Sequence, residues 1–191
     1  MKKSYIILGG ILLFVFIIFM TYRSSFNTAI SYQETVDQTW GDVQASYQRR
    51  ADLIPQLIAT VKGAAANEKD ILTKVTNARA GITGINEDIM NAKNPEQMEL
   101  AGKKINTAIN LAFEAYPQIR STENFGMFQA QLEGTENRIN KSRQDYNESI
   151  KSYNTHIRGF LNSMFLNPNT FPKKDAFAAS SGSENAPKVE F

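Results

Sequence analysis

Arg49 to Leu57 reads RRADLIPQL, and it interrupts a run otherwise patterned as one long helix. Before it, apolar residues recur at Val36, Trp40, Val43 and Tyr47. They resume inside it at Ile54 and Leu57 and continue at Val61, with Arg50 filling the position between. The steps alternate between four and three residues, which is a heptad seam. A proline inside such a seam removes a backbone donor and clashes with the carbonyl four residues earlier, so the first helix is expected to be bent or broken near Pro55. A new helix starting there would have Asp52 as its cap and Pro55 in its first turn, where a missing N–H costs little. The unbroken phase and the absence of glycine favour a bend. The better match of segment lengths favours a reversal, and with it an all-α, up-and-down four-helix bundle, the arrangement we expect.

Towards the N-terminus the chain begins MKKSYIILGGILLFVFIIFMTYRSS, and no residue from Tyr5 to Tyr22 is charged. As a helix this stretch would be roughly 27 Å long, about one hydrocarbon thickness. Tyr5 and Tyr22 at its ends suit the membrane–water boundary. A cleaved signal peptide would have a shorter apolar core followed by a small-x-small site, and Met20-Thr21-Tyr22-Arg23 is not one. Gly9-Gly10 makes no GxxxG pair, so no dimer face is read from it. Lys2 and Lys3 precede the span and Arg23 comes after it. The positive-inside rule then places the N-terminus in the cytoplasm and the bulk of the chain on the extracytoplasmic side of the cytoplasmic (inner) membrane.

Towards the C-terminus the first seam continues through Ala64, Glu68, Ile71, Val75, Ala78 and Ile82. It lapses in GITGINEDIMNAK, Gly81 to Lys93, which reads as a loop or frayed connector. NPEQ opens the next helix, with Asn94 as cap and Pro95 in the first helical position. Met98, Ala101, Ile105, Ala108, Ile109, Ala112 and Tyr116 form its apolar face, and Pro117 ends it. Thr122 or Asn124 would cap the last helix, which opens with Phe125, Phe128 and Leu132. Its seam then runs Glu136, Ile139, Arg143, Tyr146, Ile150, Tyr153, Ile157, Phe160 and Met164. Beyond Phe165 the chain is rich in Pro, Ser, Gly and Asn and reads as a flexible tail. The expected organisation is an anchor over 5–22, a helical bundle over 28–166 and a tail over 167–191.

Composition narrows function by exclusion. With 21 Lys and Arg against 19 Asp and Glu, interleaved along the chain, there is no cationic face to displace counterions, and nucleic acid is not expected as a partner. The chain has no cysteine, which removes disulfides, thiolate metal sites and a thiol nucleophile. The single histidine, His156, has no partner for the Glu-x-x-His pairs of a di-iron bundle, and no phosphate loop or nucleophile elbow occurs. No catalytic residue, metal site or cofactor is therefore expected. Tyr146-Asn147 and Tyr153-Asn154 lie seven apart, which places the tyrosines in the seam and the asparagines at its edge.

Among the charged residues on seam positions, Arg50, Glu136 and Arg143 stand out. A buried charge needs a partner, so Arg50 is expected to meet Glu136, and Arg143 to lie near Asp42. Together with Arg49 and Asp52 they form a candidate polar cluster, either a structural network or a pocket for an anionic ligand. Val189 and the terminal Phe191 share one face of an extended segment beside a free carboxylate, the arrangement a strand-adding groove captures, and form a candidate partner-binding tail.

RRADLIPQLIATVKGAAANEKDILTKVTNARA, then EAYPQIRSTENF, TENRINKSRQDYNESIKSYN and the terminal PKVEF, resemble the LemA family of bacterial membrane proteins. The resemblance runs in order over nearly the whole chain. It departs after Tyr153, where the family reads Phe-Pro, a short apolar stretch and Gly-Phe, and this chain has FLNSMFLNPNTF. The resemblance implies one N-terminal span, a helical-bundle domain and no established enzymatic activity. Roles in envelope organisation or stress have been suggested for relatives, and the topologies proposed for them include the opposite orientation. The expected function is a non-catalytic, membrane-anchored scaffold that interacts with other envelope proteins or with itself. The alternative is a sensory or ligand-binding bundle recognising an anion.

Overall fold

Pro55 interrupts the first helix for a single residue. In the computed structural model, which describes residues 2–64, 84–115 and 123–178, α1 (Lys2–Ala51) and α2 (Leu53–Ala64) are separated only by Asp52. The Asp52 N–H still donates to the Gln48 carbonyl at 2.9 Å, an ordinary i→i−4 helical bond. Pro55 has no N–H to offer the Ala51 carbonyl and crowds it, which places the irregularity where it is seen. The expected reversal does not occur, because turning an antiparallel helix pair takes a connection of about 2–5 residues. The cause is the continuous phase: Tyr47, Ala51, Ile54, Leu57 and Ile58 are all buried, and a turn would have broken that face.

The remaining helices among the described residues are α3 (84–91), α4 (Pro95–Ala115), α5 (Glu123–Arg158) and α6 (Phe160–Phe165). The expected seam from Glu68 to Ile82, the expected helix end at Tyr116 and Pro117, the Thr122 cap and the tail residues Val189 and Phe191 lie outside the described residues. Asn124 lies inside α5 and is not its cap. The chain divides into two compact units, Met1–Gly41 with Asp145–Lys174, and Asp42–Gln144 with Asp175–Phe191.

In the first unit, the apolar stretch of α1 projects unburied. The helix is long and apolar enough to cross a membrane, with Ile6 73% and Phe14 65% exposed. Past the stretch, α1 buries Ala29 and Val36 and pairs with α5. Tyr32 meets His156 at 5.4 Å between ring centroids, Thr39 Oγ1 lies 2.9 Å from Ser149 Oγ, and Trp40 meets Tyr146 at 5.1 Å. Numbers rise along α1 as they fall along α5, so the two are antiparallel here. The α5 seam holds through Ile150, Tyr153 and Ile157, all buried, and ends there: Phe160 is 82% and Met164 70% exposed. Gly159 takes an extended conformation (φ −58°, ψ 142°) between α5 and α6, which resets the helical phase beyond it.

The start of the expected flexible tail is not loose. Leu166 and Phe171 are buried, and the chain returns along α5. The Tyr153 hydroxyl donates to the Pro172 carbonyl at 3.0 Å. Asn154 Nδ2 donates to the Lys174 carbonyl at 2.8 Å, and the Lys174 N–H donates back to Asn154 Oδ1 at 3.1 Å. One asparagine amide thus satisfies both backbone groups of one residue, as a neighbouring strand would. This segment is a strap.

In the second unit α2 packs on α4, and the core gathers Val43, Ile54, Leu57, Met98, Ile105 and Ile139. The expected connector is partly helix. Ile85, Ile89 and Ala92, spaced four and three apart, are buried, and Gln44 Nε2 on α1 donates to the Ile89 carbonyl at 3.1 Å near the end of α3. The start of α4 obeys its sequence signal. Asn94 Oδ1 accepts from the Gln97 N–H at 2.9 Å, and Gln97 Oε1 accepts from the Lys93 N–H at 2.8 Å, a reciprocal cap.

Candidate functional site

Heptad positions occupied by charge bring α1, α4 and α5 together around a polar pocket in the second unit. Tyr47 and Arg50 come from α1. Glu99, Gly102, Lys103 and Asn106 come from α4, and Glu136, Ile139 and Arg143 from α5; Ala178 of the C-terminal segment closes one side. The pocket holds about 460 Å³, within the range of small-molecule sites.

Gly102 lets α1 and α4 approach. A Cβ there would stand 2.7 Å from Tyr47 Cε1, so the tyrosine ring packs directly on the α4 backbone. Tyr47 is 4% exposed. Burial raises its phenol above the ordinary value of 10, with Glu99 adding to the rise and the Arg143 and Arg50 cations opposing it.

Arg50 forms an ion pair with Glu136, as its seam position predicts. Its side chain is 15% exposed against 47% for the glutamate. Burial lowers the guanidinium from its usual range, and Tyr47 acts the other way. Arg50 Nε is buried and has no hydrogen-bond acceptor among the described residues, a deficit of about 1–3 kcal/mol for a donor of this kind.

Arg143 does not turn towards Asp42. Its Nη2 donates to Glu99 Oε1 at 2.9 Å and to the Ala178 carbonyl at 3.4 Å, and the guanidinium lies 4.6 Å above the Phe177 ring. Asp42 is exposed. The expectation failed because α4 lies over the α1–α5 seam, and Glu99 is the carboxylate it delivers. Of the five residues singled out in the sequence, Arg50, Glu136 and Arg143 line the pocket. Arg49 and Asp52 do not: both are exposed, and Asp52 accepts from Gln48 Nε2 at 2.9 Å.

Residues 39–191 match the profile of the LemA family. The chain belongs to the LemA family. Similarity extends to Protein LemA of Metamycoplasma hominis, 24% identical over 159 residues that cover 83% of this chain and 71% of that protein. The match to the LemA family takes in α4 and α5 whole and the part of α1 that carries Tyr47 and Arg50, so every pocket residue lies inside it.

Sequence reasoning missed Glu99, Gly102, Lys103 and Asn106. A signal was present: Glu99 is next to Met98 and Gly102 next to Ala101, so both flank the buried column of α4, where charged and small residues reach a neighbouring helix. Among the described residues no three His, Asp or Glu side chains group as metal ligands. The pocket carries three cations, Arg50, Lys103 and Arg143, against two carboxylates, Glu99 and Glu136. Such a lining can pair with opposite charges and hydrogen-bond acceptors.

Proposed function

We propose that this LemA family member is a non-catalytic, single-pass scaffold of the bacterial envelope that engages other envelope proteins, or copies of itself, through its helical domain. The observation that carries this is α1. One unbroken helix takes the apolar stretch directly into the buried face made by Ala29 and Val36, so the first unit is joined to the stretch without a linker. Lys2 and Lys3 before the stretch support an N-terminus in the cytoplasm and the domain outside.

Photocrosslinking residues placed singly on the exposed face of α5, at Lys141 and Glu148, test the reading in intact membranes. The expected result is one recurrent partner, identified by mass spectrometry, that is lost when the same residue sits on the buried face. Equal, unselective labelling from every position would overturn it. A C-terminal reporter active only outside the cytoplasm is expected to be active, and a stable but silent fusion would reverse the topology.

A second reading, binding of an anion in the polar pocket, has one specific support. Arg50 Nε is a buried donor without an acceptor among the described residues, in a pocket with one cation in excess, and an anionic oxygen would meet both needs. Thermal unfolding of the full chain in detergent, titrated with phosphate and with citrate at constant ionic strength, tests it. A saturable rise in Tm that Arg50→Met abolishes is the expected result, and a shift shared by both proteins would dismiss the reading.

A further inference from the structure

The short helix α6 leaves its apolar residues uncovered. Phe160 is 82%, Leu161 56% and Met164 70% exposed, and their spacing of one and four residues puts them on one side of the helix. The opposite side is fastened to α1 immediately beyond the apolar stretch. The Phe165 ring meets Tyr22 edge-on at 6.0 Å. The Ser25 hydroxyl donates to Asn162 Oδ1 at 2.8 Å, and Asn162 Nδ2 donates to the His156 carbonyl at 2.9 Å. His156 Nε2 lies 3.0 Å from the Ser25 carbonyl, which makes it a donor there and leaves Nδ1 to accept from Asn162 Nδ2 at 3.3 Å. Next along, Phe26 meets both Tyr22, at 6.1 Å, and Phe171 of the strap, at 5.4 Å. This part of the strap, α6 and the root of the apolar stretch form one aromatic and hydrogen-bonded joint.

Position then dictates surroundings. Tyr22 ends the uncharged stretch, and Ser25 stands three residues further, about 4.5 Å along the helix axis. The headgroup layer is about 5–7 Å deep on each side of a hydrocarbon core. A helix bonded to α1 at Ser25 and packed on Tyr22 therefore lies within that layer when α1 crosses the membrane. Charge agrees with the placement. Residues 1–33 and 149–174, which supply this whole end of the first unit, contain no Asp or Glu, while Arg23 and Arg158 flank the joint and are exposed. Absence of carboxylates together with flanking guanidinium groups suits an anionic lipid surface, and three large apolar side chains on a short helix suit the boundary between headgroups and acyl chains.

We infer that α6 is a second membrane contact. It lies along the surface of the bilayer that α1 crosses, with Phe160, Leu161 and Met164 immersed among lipid headgroups and upper acyl chains. The contact fixes the tilt and rotation of α1, which a single span alone leaves free. The inference rests on the reading of the apolar stretch as a membrane span, and its test separates the two.

The chain has no cysteine, so single cysteines carry a nitroxide label without background. Full-length chain is labelled at Phe160, at Met164, at Val15 within the span and at exposed Lys151 on α5, and reconstituted into vesicles of mixed phosphatidylcholine and phosphatidylglycerol. Collision with oxygen, which concentrates in the bilayer, is compared with collision with a water-soluble nickel complex. The expected oxygen-to-nickel ratio at Phe160 and Met164 is several-fold above that at Lys151 and below that at Val15. Ratios at Phe160 and Met164 equal to Lys151, with Val15 still in lipid, would overturn the inference and leave the span standing. A watery ratio at Val15 as well would remove the span and α6 together. Shielding of Phe160 and Met164 from both reagents, with dipolar broadening between labels, would assign the face to a second copy of the chain instead and equally overturn it.

Discussion

Arg50 and Glu136 form an ion pair between α1 and α5 in which the partners are unequally buried, 15% exposed for the arginine side chain and 47% for the glutamate. Removing either partner therefore has different consequences. Glu136→Gln leaves a nearly buried guanidinium without its counter-charge and is expected to cost about 1–2 kcal/mol, below the range for fully buried pairs because the carboxylate is half in water. Arg50→Met leaves a carboxylate that water already reaches, removes the orphaned Nε, and is expected to cost less. Urea unfolding of the two single variants and the double variant should show a coupling of about 1 kcal/mol. Equal single effects that add strictly would mean that the pair does not act across the helices.

Gly102 and Gly134 are both helical glycines, and alanine should act on them in opposite directions. A Cβ at Gly134 meets nothing within 4 Å, so Gly134→Ala is expected to stabilise by up to about 1 kcal/mol through helix propensity. At Gly102 the added atom would press on the buried Tyr47 ring at 2.7 Å, and overpacking of about 1–3 kcal/mol outweighs the propensity gain. Thermal unfolding of both variants checks the sign. A Gly102→Ala protein more stable than the parent would show that α4 and Tyr47 are not in contact.

The bracket that Asn154 makes around Lys174 predicts a local effect. Asn154→Ala removes a donor and an acceptor, about 1–3 kcal/mol from the docking of the strap. The Lys174 amide, which donates to Asn154 Oδ1, should exchange with solvent correspondingly faster while amides in the middle of α5 keep their protection. Asn154→Asp keeps the acceptor and should preserve part of the Lys174 protection. Unchanged exchange at Lys174 in the alanine variant would show that the strap is held by other contacts.

Two buried tyrosines predict a loss of stability at alkaline pH. Burial raises both Tyr47 and Tyr153 above the ordinary phenol value near 10; Glu99 adds to the rise at the first and Asp37 at the second. The folded state then holds these protons more tightly than the unfolded state. Their contribution is complete below pH 10 and is lost as pH rises from there through the folded-state values. Unfolding free energy measured between pH 8 and 11 should fall above pH 10, and the double variant Tyr47→Phe, Tyr153→Phe should flatten that fall. An equally steep fall in the double variant would place the sensitive groups elsewhere.

Helix identity was legible in α1, α2, α4 and α5, where a long apolar period along the chain marked it. The four–three spacing marked Val36, Val43, Ile54, Ile139, Ile150 and Tyr153, and each is buried. Asn94 announced the start of α4 because a cap involves only the next few residues. The polar cluster was half legible. A charge on a seam position marks itself, which brought out Arg50, Glu136 and Arg143, but its partner lies on another helix, and periodicity does not say which helices are neighbours. That is why Asp42 was expected where Glu99 is found. The strap was not legible, since Phe171 and Phe177 have no period to mark them and are buried by a surface contributed mainly by other parts of the chain.

Local sequence by itself determined the apolar N-terminal stretch, the helical class and the buried faces of α1, α2, α4 and α5, because these depend on hydrogen bonds and side-chain directions within a turn or two. Tertiary structure decided the rest. Pro55 could bend or turn the chain at comparable local cost, and burial of Tyr47, Ala51, Ile54 and Leu57 on one continuous face selected the bend. Gly102 permits close approach in any helix, and only Tyr47 made that approach a pocket wall. Phe160 and Met164 kept the heptad spacing in sequence but lost the seam in space, because the extended Gly159 rotates α6 away from the phase of α5, and phase does not survive a change of backbone direction.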